Sequence, residues 1–205
     1  EYRAVIESAV EDYERISRLI ENMLFLARAE DPRAAINRHW IDLRPLLMRG
    51  RGYYELLAEE RGVGMTLDML GAEPDWQQVW ADETLLNRAI GNLVSNALRY
   101  APRGTSIGVT TQAHDDGGVT LAVANDGPPI AAEHQARIFD RAFRADESRA
   151  GSGSGLGLAI VKSIMDLHDG TVSVISGPGR STVFRLWFPG PKRAAPAADG
   201  IVTTT

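Results

Sequence analysis

A chain of 205 residues has room for one domain with attachments or for two small domains, and 44% hydrophobic content is enough to build a core. The net charge of −5 disfavours a nucleic-acid partner, which asks for a basic face. The lack of cysteine excludes disulfides and thiolate metal sites and is compatible with a reducing compartment.

No apolar run is long enough to span a bilayer, and no signal peptide opens the chain. The first residue is Glu1 rather than Met, the expectation for a piece of something longer. Residues 1–30 read as one long helix. Ile6, Ala9, Tyr13, Ile16, Ile20, Met23 and Ala27 follow a 3-4-3-4 spacing, the seam of a coiled coil or bundle, and Leu19, Leu24 and Leu26 widen it toward a four-helix bundle. Two readings stay open: a stripe that needs partner helices, or an amphipathic helix packed on its own domain. Asp31-Pro32 stops the helix, because proline drives its predecessor out of the α region.

From about residue 37 the pattern changes. RHWIDL predicts a short strand running into a helix capped by Asp42, with Pro45 in the tolerated first turn. That helix runs to about Glu60 and ends at Arg61-Gly62. Strands are predicted over Val63–Met69 and Trp76–Ala81, and Asp82 then caps a helix running to Tyr100. Ser106–Ala113 and Val119–Asn125 alternate around Asp115-Asp116-Gly117-Gly118, a hairpin signature. A short helix over Glu133–Phe143 precedes the polar stretch Arg144–Ser154, whose composition predicts mobility. Leu156–His168 is a helix ending at Asp169-Gly170, and Thr171–Ser176 with Ser181–Phe188 forms a last hairpin. The tail from residue 190, rich in Ala, Pro and Thr, is expected to be disordered. The expected fold class is α/β, an α+β two-layer sandwich: a mixed, mostly antiparallel sheet with helices on one face.

Two segments carry chemistry. Asn92 and Asn96 lie one turn apart in NLVSNALRY and share a helix face, where amide oxygens suit a hard cation. GSGSGLGLAIVKS carries Gly151, Gly153, Gly155 and Gly157 and runs straight into an apolar-periodic helix. A Gly/Ser run alone is a flexible linker, but at a helix start its free N–H groups and the helix dipole favour anions. The two together point to a nucleotide site. The chain has no GxxxxGK[ST] run and no true GxGxxG, and neither HRD nor DFG occurs, so P-loop, dinucleotide and eukaryotic-type kinase folds are unsupported.

NLVSNALRYAP resembles the N box of bacterial sensor histidine kinases, VANDGPPI their G1 box, IFDRAFR their F box and GSGSGLGLAIVKSI their G2 box, in the family's order and at its usual separations. With LARAE, RGVGMTLDML and STVFRLWFP added, the resemblance covers residues 1 to about 189, and it is nearest to the heavy-metal (copper/silver-type) sensor kinases, whose G1 box reads NxGxPI. It implies a Bergerat ATP-binding fold over 37–189, shared with gyrase, heat-shock chaperone and mismatch-repair ATPases. It also implies that 1–30 is the second helix of a dimerisation and histidine-phosphotransfer bundle, and that 31–36 is a linker.

ATP and Mg²⁺ are then the expected ligands. The resemblance implies Asn96 as the Mg²⁺ ligand with Asn92 in support, and Arg99 and Tyr100 at phosphate and the ribose or adenine edge. It places Gly127, Gly153, Gly155, Leu156, Gly157, Leu158 and Thr182 around the nucleotide. Arg141, or Arg144, would reach the γ-phosphate; the alternative is that these arginines solvate a helix surface. The family's DxGxG pattern is altered: its adenine-accepting Asp falls at Asn125, with Asp126 next as the second choice and Pro129 replacing a later glycine. An ordinary turn is the other reading of Asn-Asp-Gly-Pro. Ser181 stands where a glycine is common, with little effect expected.

Hydrolysing relatives carry a Glu at the position of Asn92, and an amide cannot serve as general base, so a kinase is favoured over an ATPase. The implied acceptor is a histidine on a bundle helix, with relay to a response-regulator Asp, in a homodimeric bacterial inner-membrane protein whose cytoplasmic portion this is. His39, His114, His134 and His168 are the four histidines; none lies in a long bundle helix, none has metal-ligand spacing, and each reads as structural or surface-exposed. The acceptor is therefore expected to lie outside this chain. A dimerising Bergerat ATPase and a non-catalytic scaffold, suggested by Asn125 and Pro129, are the alternatives.

Overall fold

The computed structural model describes residues 2–29, 31, 35–70, 77–143 and 155–190. The stretch expected to be mobile, Arg144–Ser154, and the tail beyond Gly190 lie outside these, as does Trp76. The elements in chain order are α1 (Tyr2–Ala29), β1 (His39–Asp42), α2 (Leu43–Glu60), β2 (Gly64–Leu70), β3 (Gln78–Ala81), α3 (Glu83–Tyr100), β4 (Ser106–Ala113), β5 (Val119–Asn125), α4 (Ala132–Gln135), α5 (Gly157–Leu167), β6 (Thr171–Gly177) and β7 (Arg180–Phe188). Both predicted caps are made: Asp42 Oδ1 accepts from the Arg44 N–H at 2.8 Å, and Asp82 Oδ1 from the Leu85 N–H at 3.1 Å.

Five strands form one sheet in the order β2-β4-β5-β7-β6, while β1 and β3 pair antiparallel in a small sheet of their own. Only β2 and β4 run parallel in the large sheet, and α3 lies on the crossover between them. Its inner face presents Ile107, Val109, Leu121, Val123, Phe184, Leu186 and Phe188 to buried residues of α3 (Leu86, Ile90, Leu93, Val94) and α5 (Ile160, Val161, Ile164, Met165). Each such side chain contributes about 1.5–3 kcal/mol by leaving water. That core fixes α3 and α5 side by side on the sheet.

The predicted helix over Glu133–Phe143 is corrected to four residues, Ala132–Gln135. Beyond it the chain proceeds by turns, with Arg137 N–H on His134 O, Asp140 N–H on Arg137 O and Phe143 N–H on Asp140 O. Phe139 packs edge-on to Phe184 at 6.3 Å, and Ala142 adopts φ 58°, a left-handed conformation through which no right-handed helix continues.

α1 uses two different faces. Leu19, Phe25 and Leu26 pack on the domain core, so Leu19 and Leu26 do not widen the seam as expected. The 3-4 seam itself is left in solvent: Ile6, Tyr13, Ile16, Ile20 and Met23 are each more than half exposed, and so is Leu24. Among the described residues no helix is long and apolar enough to cross a membrane.

The foot of α3 is tied to the end of α5 by His168, which is 1% exposed. Its Nε2 accepts from the Asp82 N–H at 2.9 Å and its Nδ1–H donates to Ile164 O at 2.6 Å, so one neutral tautomer serves both bonds. Beside it, Arg38 pairs with Asp169 at 2.6 Å and donates to Leu167 O, while the Asn37 N–H donates to Asp82 Oδ2. Burial chiefly, with Arg38 adding to it, holds the His168 pKa below its ordinary value against the opposing pull of the Ile164 bond, Asp82 and Asp169. The stability it contributes is therefore full above the unfolded value of about 6.5 and is lost as the pH falls from there toward the depressed folded value. Denaturant midpoints of the chain are expected to drop between pH 7 and pH 5. His168→Gln, whose amide oxygen can replace Nε2 as acceptor, is expected to flatten that slope, as parallel urea titrations at each pH will read.

Candidate functional site

The cleft is bounded by the C-terminal half of α3, the start of α5, and the turn leaving β5. On α3, Asn92 donates from Nδ2 to Arg88 O at 2.8 Å, a bond back to its own helix that aims Oδ1 outward. That oxygen faces the first residue of α5: a Cβ at Gly157 would lie 2.9 Å from it, closer than real contacts allow. A side chain at position 157 would have to displace the Asn92 amide. Asn96, one turn on, is half-buried, and its side chain makes no hydrogen bond among the described residues. The two asparagines thus differ in kind, one anchored and one available.

α5 begins without a side-chain cap at Leu156, and its first intrahelical bond runs from the Ile160 N–H to Leu156 O. The N–H groups of the first turn, at Gly157 and Leu158, therefore keep their donor capacity at the positive end of the helix dipole. Gly155 stands just before with φ 71° against Ala142 and the Phe143 carbonyl. Gly151, Gly153 and Arg144 lie outside the described residues.

The floor is built where β5 ends. Asn125 is 4% exposed and lies in register opposite Thr182 of β7, itself 3% exposed. No hydrogen bond engages the Asn125 side chain among the described residues. Gly127 brings the following turn against α3: its Cβ would stand 2.6 Å from Asn125 Nδ2 and 2.7 Å from Tyr100 O. Asp126 is exposed, and its Oδ1 accepts from the Ser181 hydroxyl at 2.6 Å. Arg99 and Tyr100 are exposed at the end of the same helix.

Arg141 is turned to another task. Its Nη2 donates to Leu26 O at 3.3 Å, among the last carbonyls of α1, where a cation satisfies an orphan acceptor. Sequence reasoning missed three further participants. Ser181 holds the Asp126 carboxylate. Ser176, at a register shift between β6 and β7, accepts from the Ile130 N–H at 2.9 Å and meets Thr182 Oγ1 at 2.6 Å, with Gln135 bracing Ile130 O and Ser176 O. Arg88 lies 4.4 Å over the Phe25 ring and donates to Asn22 Oδ1 at 2.8 Å, so the asparagine helix is clasped to α1. Helical spacing from Asn92 could have flagged Arg88, one turn earlier; Ser181 stands out only as a replacement for glycine, and nothing in sequence marks Ser176.

The histidines are accounted for individually. His39 lies 3.9 Å from Glu83, His114 Nε2 is 2.7 Å from Thr120 Oγ1, the His134 ring is 5.6 Å from Phe143, and His168 is the buried tie. Among the described residues no group of three or more His, Asp or Glu is placed to hold a metal.

Comparison with known proteins bears on the family and the fold. Residues 81–192 match the family described as histidine kinase-, DNA gyrase B-, and HSP90-like ATPase. The sensor protein IrlS of Burkholderia pseudomallei is 44% identical over 192 residues, 92% of this chain and 40% of that protein. The sensor histidine kinase CusS of Escherichia coli K12 is 42% identical over 191 residues, 92% of this chain and 38% of that protein. The chain thus spans about two fifths of the length of these curated relatives. Among solved structures, full-length ShkA in complex with AMPPNP superposes with TM-score 0.79 at 26% identity, over 94% of this chain and 40% of that one. The Acinetobacter baumannii histidine kinase AdeS shares the fold with TM-score 0.74 at 20% identity, over 91% of this chain and 84% of that one. With more than half of the chain matched by that family, the chain belongs to the histidine kinase-, DNA gyrase B- and HSP90-like ATPase family, and the proteins it is similar to include sensor histidine kinases.

Proposed function

We propose that this chain is the ATP-binding catalytic part of a sensor histidine kinase: it holds Mg²⁺-ATP and presents the γ-phosphate to a histidine on another helix of the bundle. The observation that carries this is the pairing of Asn96, whose side chain makes no hydrogen bond among the described residues, with the first-turn N–H groups of α5 at Gly157 and Leu158 across the Asn92–Gly157 contact. One side supplies an amide oxygen for a hard cation and the other supplies N–H donors for phosphate oxygens. Asn125, buried and with no side-chain hydrogen bond among the described residues, would accept from the adenine amino group, with Gly127 shaping the turn and Thr182 behind it. The exposed Asp126 is held by Ser181 and is the weaker candidate for that role. A magnesium ion, when bound, supplies charge neutralisation for the phosphates, and Asn96 Oδ1 would hold it.

Asn92 is an amide whose Nδ2 is committed to Arg88 O, so it has neither the basicity nor the freedom to draw a proton from water. ATP in this site would wait for a better nucleophile, and transfer then depends on positioning and charge. Arg141 would have to leave Leu26 O to meet a γ-phosphate, which makes it the mobile member of the set. The solvent-facing seam of α1, Ile6 to Met23, is where partner helices of a homodimeric bundle would pack. A response regulator receiving the phosphate on an Asp, a place on the cytoplasmic side of a bacterial inner membrane, and a metal-stress stimulus follow from the same reading. Its relatives' names, sensor protein and sensor histidine kinase, support a signalling role. The competing reading, a dimerising ATPase, is favoured only if the chain turns ATP over steadily with no acceptor present.

Asn96→Ala is expected to weaken Mg²⁺-dependent binding of an ATP analogue at least about tenfold in calorimetry, the loss of one charged-group contact; unchanged affinity removes Asn96 from the site. Gly157→Ala is expected to displace the Asn92 amide rather than the helices, and so to lower nucleotide affinity in calorimetry with little change in the melting temperature. With γ-labelled ATP the chain alone is expected to stay unlabelled while a separate bundle carrying the acceptor histidine takes label in trans. Label on a histidine of the isolated chain would refute the assignment of the acceptor to another helix.

A further inference from the structure

The base-facing floor is made of groups with no fixed hydrogen-bonding sense. Asn125 and Thr182 oppose each other in register, both almost wholly buried. An amide offers an acceptor oxygen and a donor NH₂, and the Asn125 side chain, with no protein hydrogen bond among the described residues, has nothing to fix which one faces the cleft. Thr182 Oγ1 is 2.6 Å from Ser176 Oγ, and either hydroxyl can be the donor. Ser176 Oγ already accepts the Ile130 N–H, yet keeps its own proton and a second lone pair. If Ser176 donates, the Thr182 proton is released toward the cleft; if Thr182 donates, it offers the cleft only a lone pair. The neighbouring carboxylate, Asp126, is a fixed acceptor, but it is exposed and tied to Ser181.

We propose that this subsite takes 6-keto as well as 6-amino purines, so that guanosine triphosphate is a ligand of the chain alongside ATP. The inference rests on Asn125 being the base contact, as argued above. Toward adenine, Asn125 Oδ1 accepts from the 6-amino group. Toward guanine, the amide turns over and Nδ2 donates to O6, with the Ser176–Thr182 pair free to reverse in step. A carboxylate at position 125 would be acceptor-only and would meet O6 lone pair to lone pair. Sites of fixed sense reject such analogues by roughly 10⁴-fold or more, and an amide gives up that discrimination.

Calorimetry of the unaltered chain with the magnesium complexes of the imido analogues of ATP and GTP tests this. The two dissociation constants are expected to agree within about thirtyfold, and Asn125→Asp is expected to weaken the GTP analogue by at least about 100-fold relative to the ATP analogue. Binding of the ATP analogue with the GTP analogue weaker by more than that thirtyfold margin overturns the proposal, as does a ratio that Asn125→Asp leaves unmoved. Should Asn125→Asp fail to fold by circular dichroism, the ratio for the unaltered chain decides alone. Binding of neither analogue would instead overturn the nucleotide reading beneath it.

Discussion

The site depends on how closely two helices approach. α3 and α5 lie on one sheet face because their apolar sides share a core with Phe184, Leu186 and Phe188, and their upper ends meet where the Asn92 oxygen faces a residue with no side chain. That contact sets the distance between the asparagine face of one helix and the free N–H groups of the other. At the foot, His168 fixes the same pair with two hydrogen bonds from one tautomer. Between these ties α3 and α5 behave as a single rigid wall, and the loops leaving β5 and entering α5 are positioned by it.

Attachment of α1 to that wall gives the fold a second theme. Arg88 is one turn below Asn92, receives the Asn92 amide on its carbonyl, and grips Phe25 and Asn22 with its side chain. Arg141 meets the end of the same helix through Leu26 O. The helix that carries the exposed seam is therefore in contact with the helix that carries the site, through residues one turn away from the chemistry. α1 is joined to the asparagine helix by a cation over a ring and a charge-assisted hydrogen bond, and to Arg141 by a second such bond.

Where the sequence misled, a tertiary contact was the cause. Leu19 and Leu26 look like extra seam residues because spacing assigns a face but not the surface it will meet, and their partners are far along the chain. The predicted Glu133–Phe143 helix gives way after Gln135 to turns that seat Phe139 against Phe184 and take Ala142 to a left-handed conformation, which local propensity cannot foresee. Ser181, expected to matter little, holds the carboxylate that had been the second choice for the base, and Ser176 was not singled out at all.

The sequence by itself determined most of the elements, their caps and the residue types offered for the candidate site. Caps, alternation and the asparagine and glycine spacings are local, and each is written within a few residues of where it acts. Only the tertiary structure decided which groups are spent and which are free. Asn92 bonds its own helix while Asn96 does not, Asn125 is buried while Asp126 is pulled outward, and Arg141 rests on α1. Those distinctions depend on partners brought together by burial of the shared core, and no spacing along the chain encodes the distance between them.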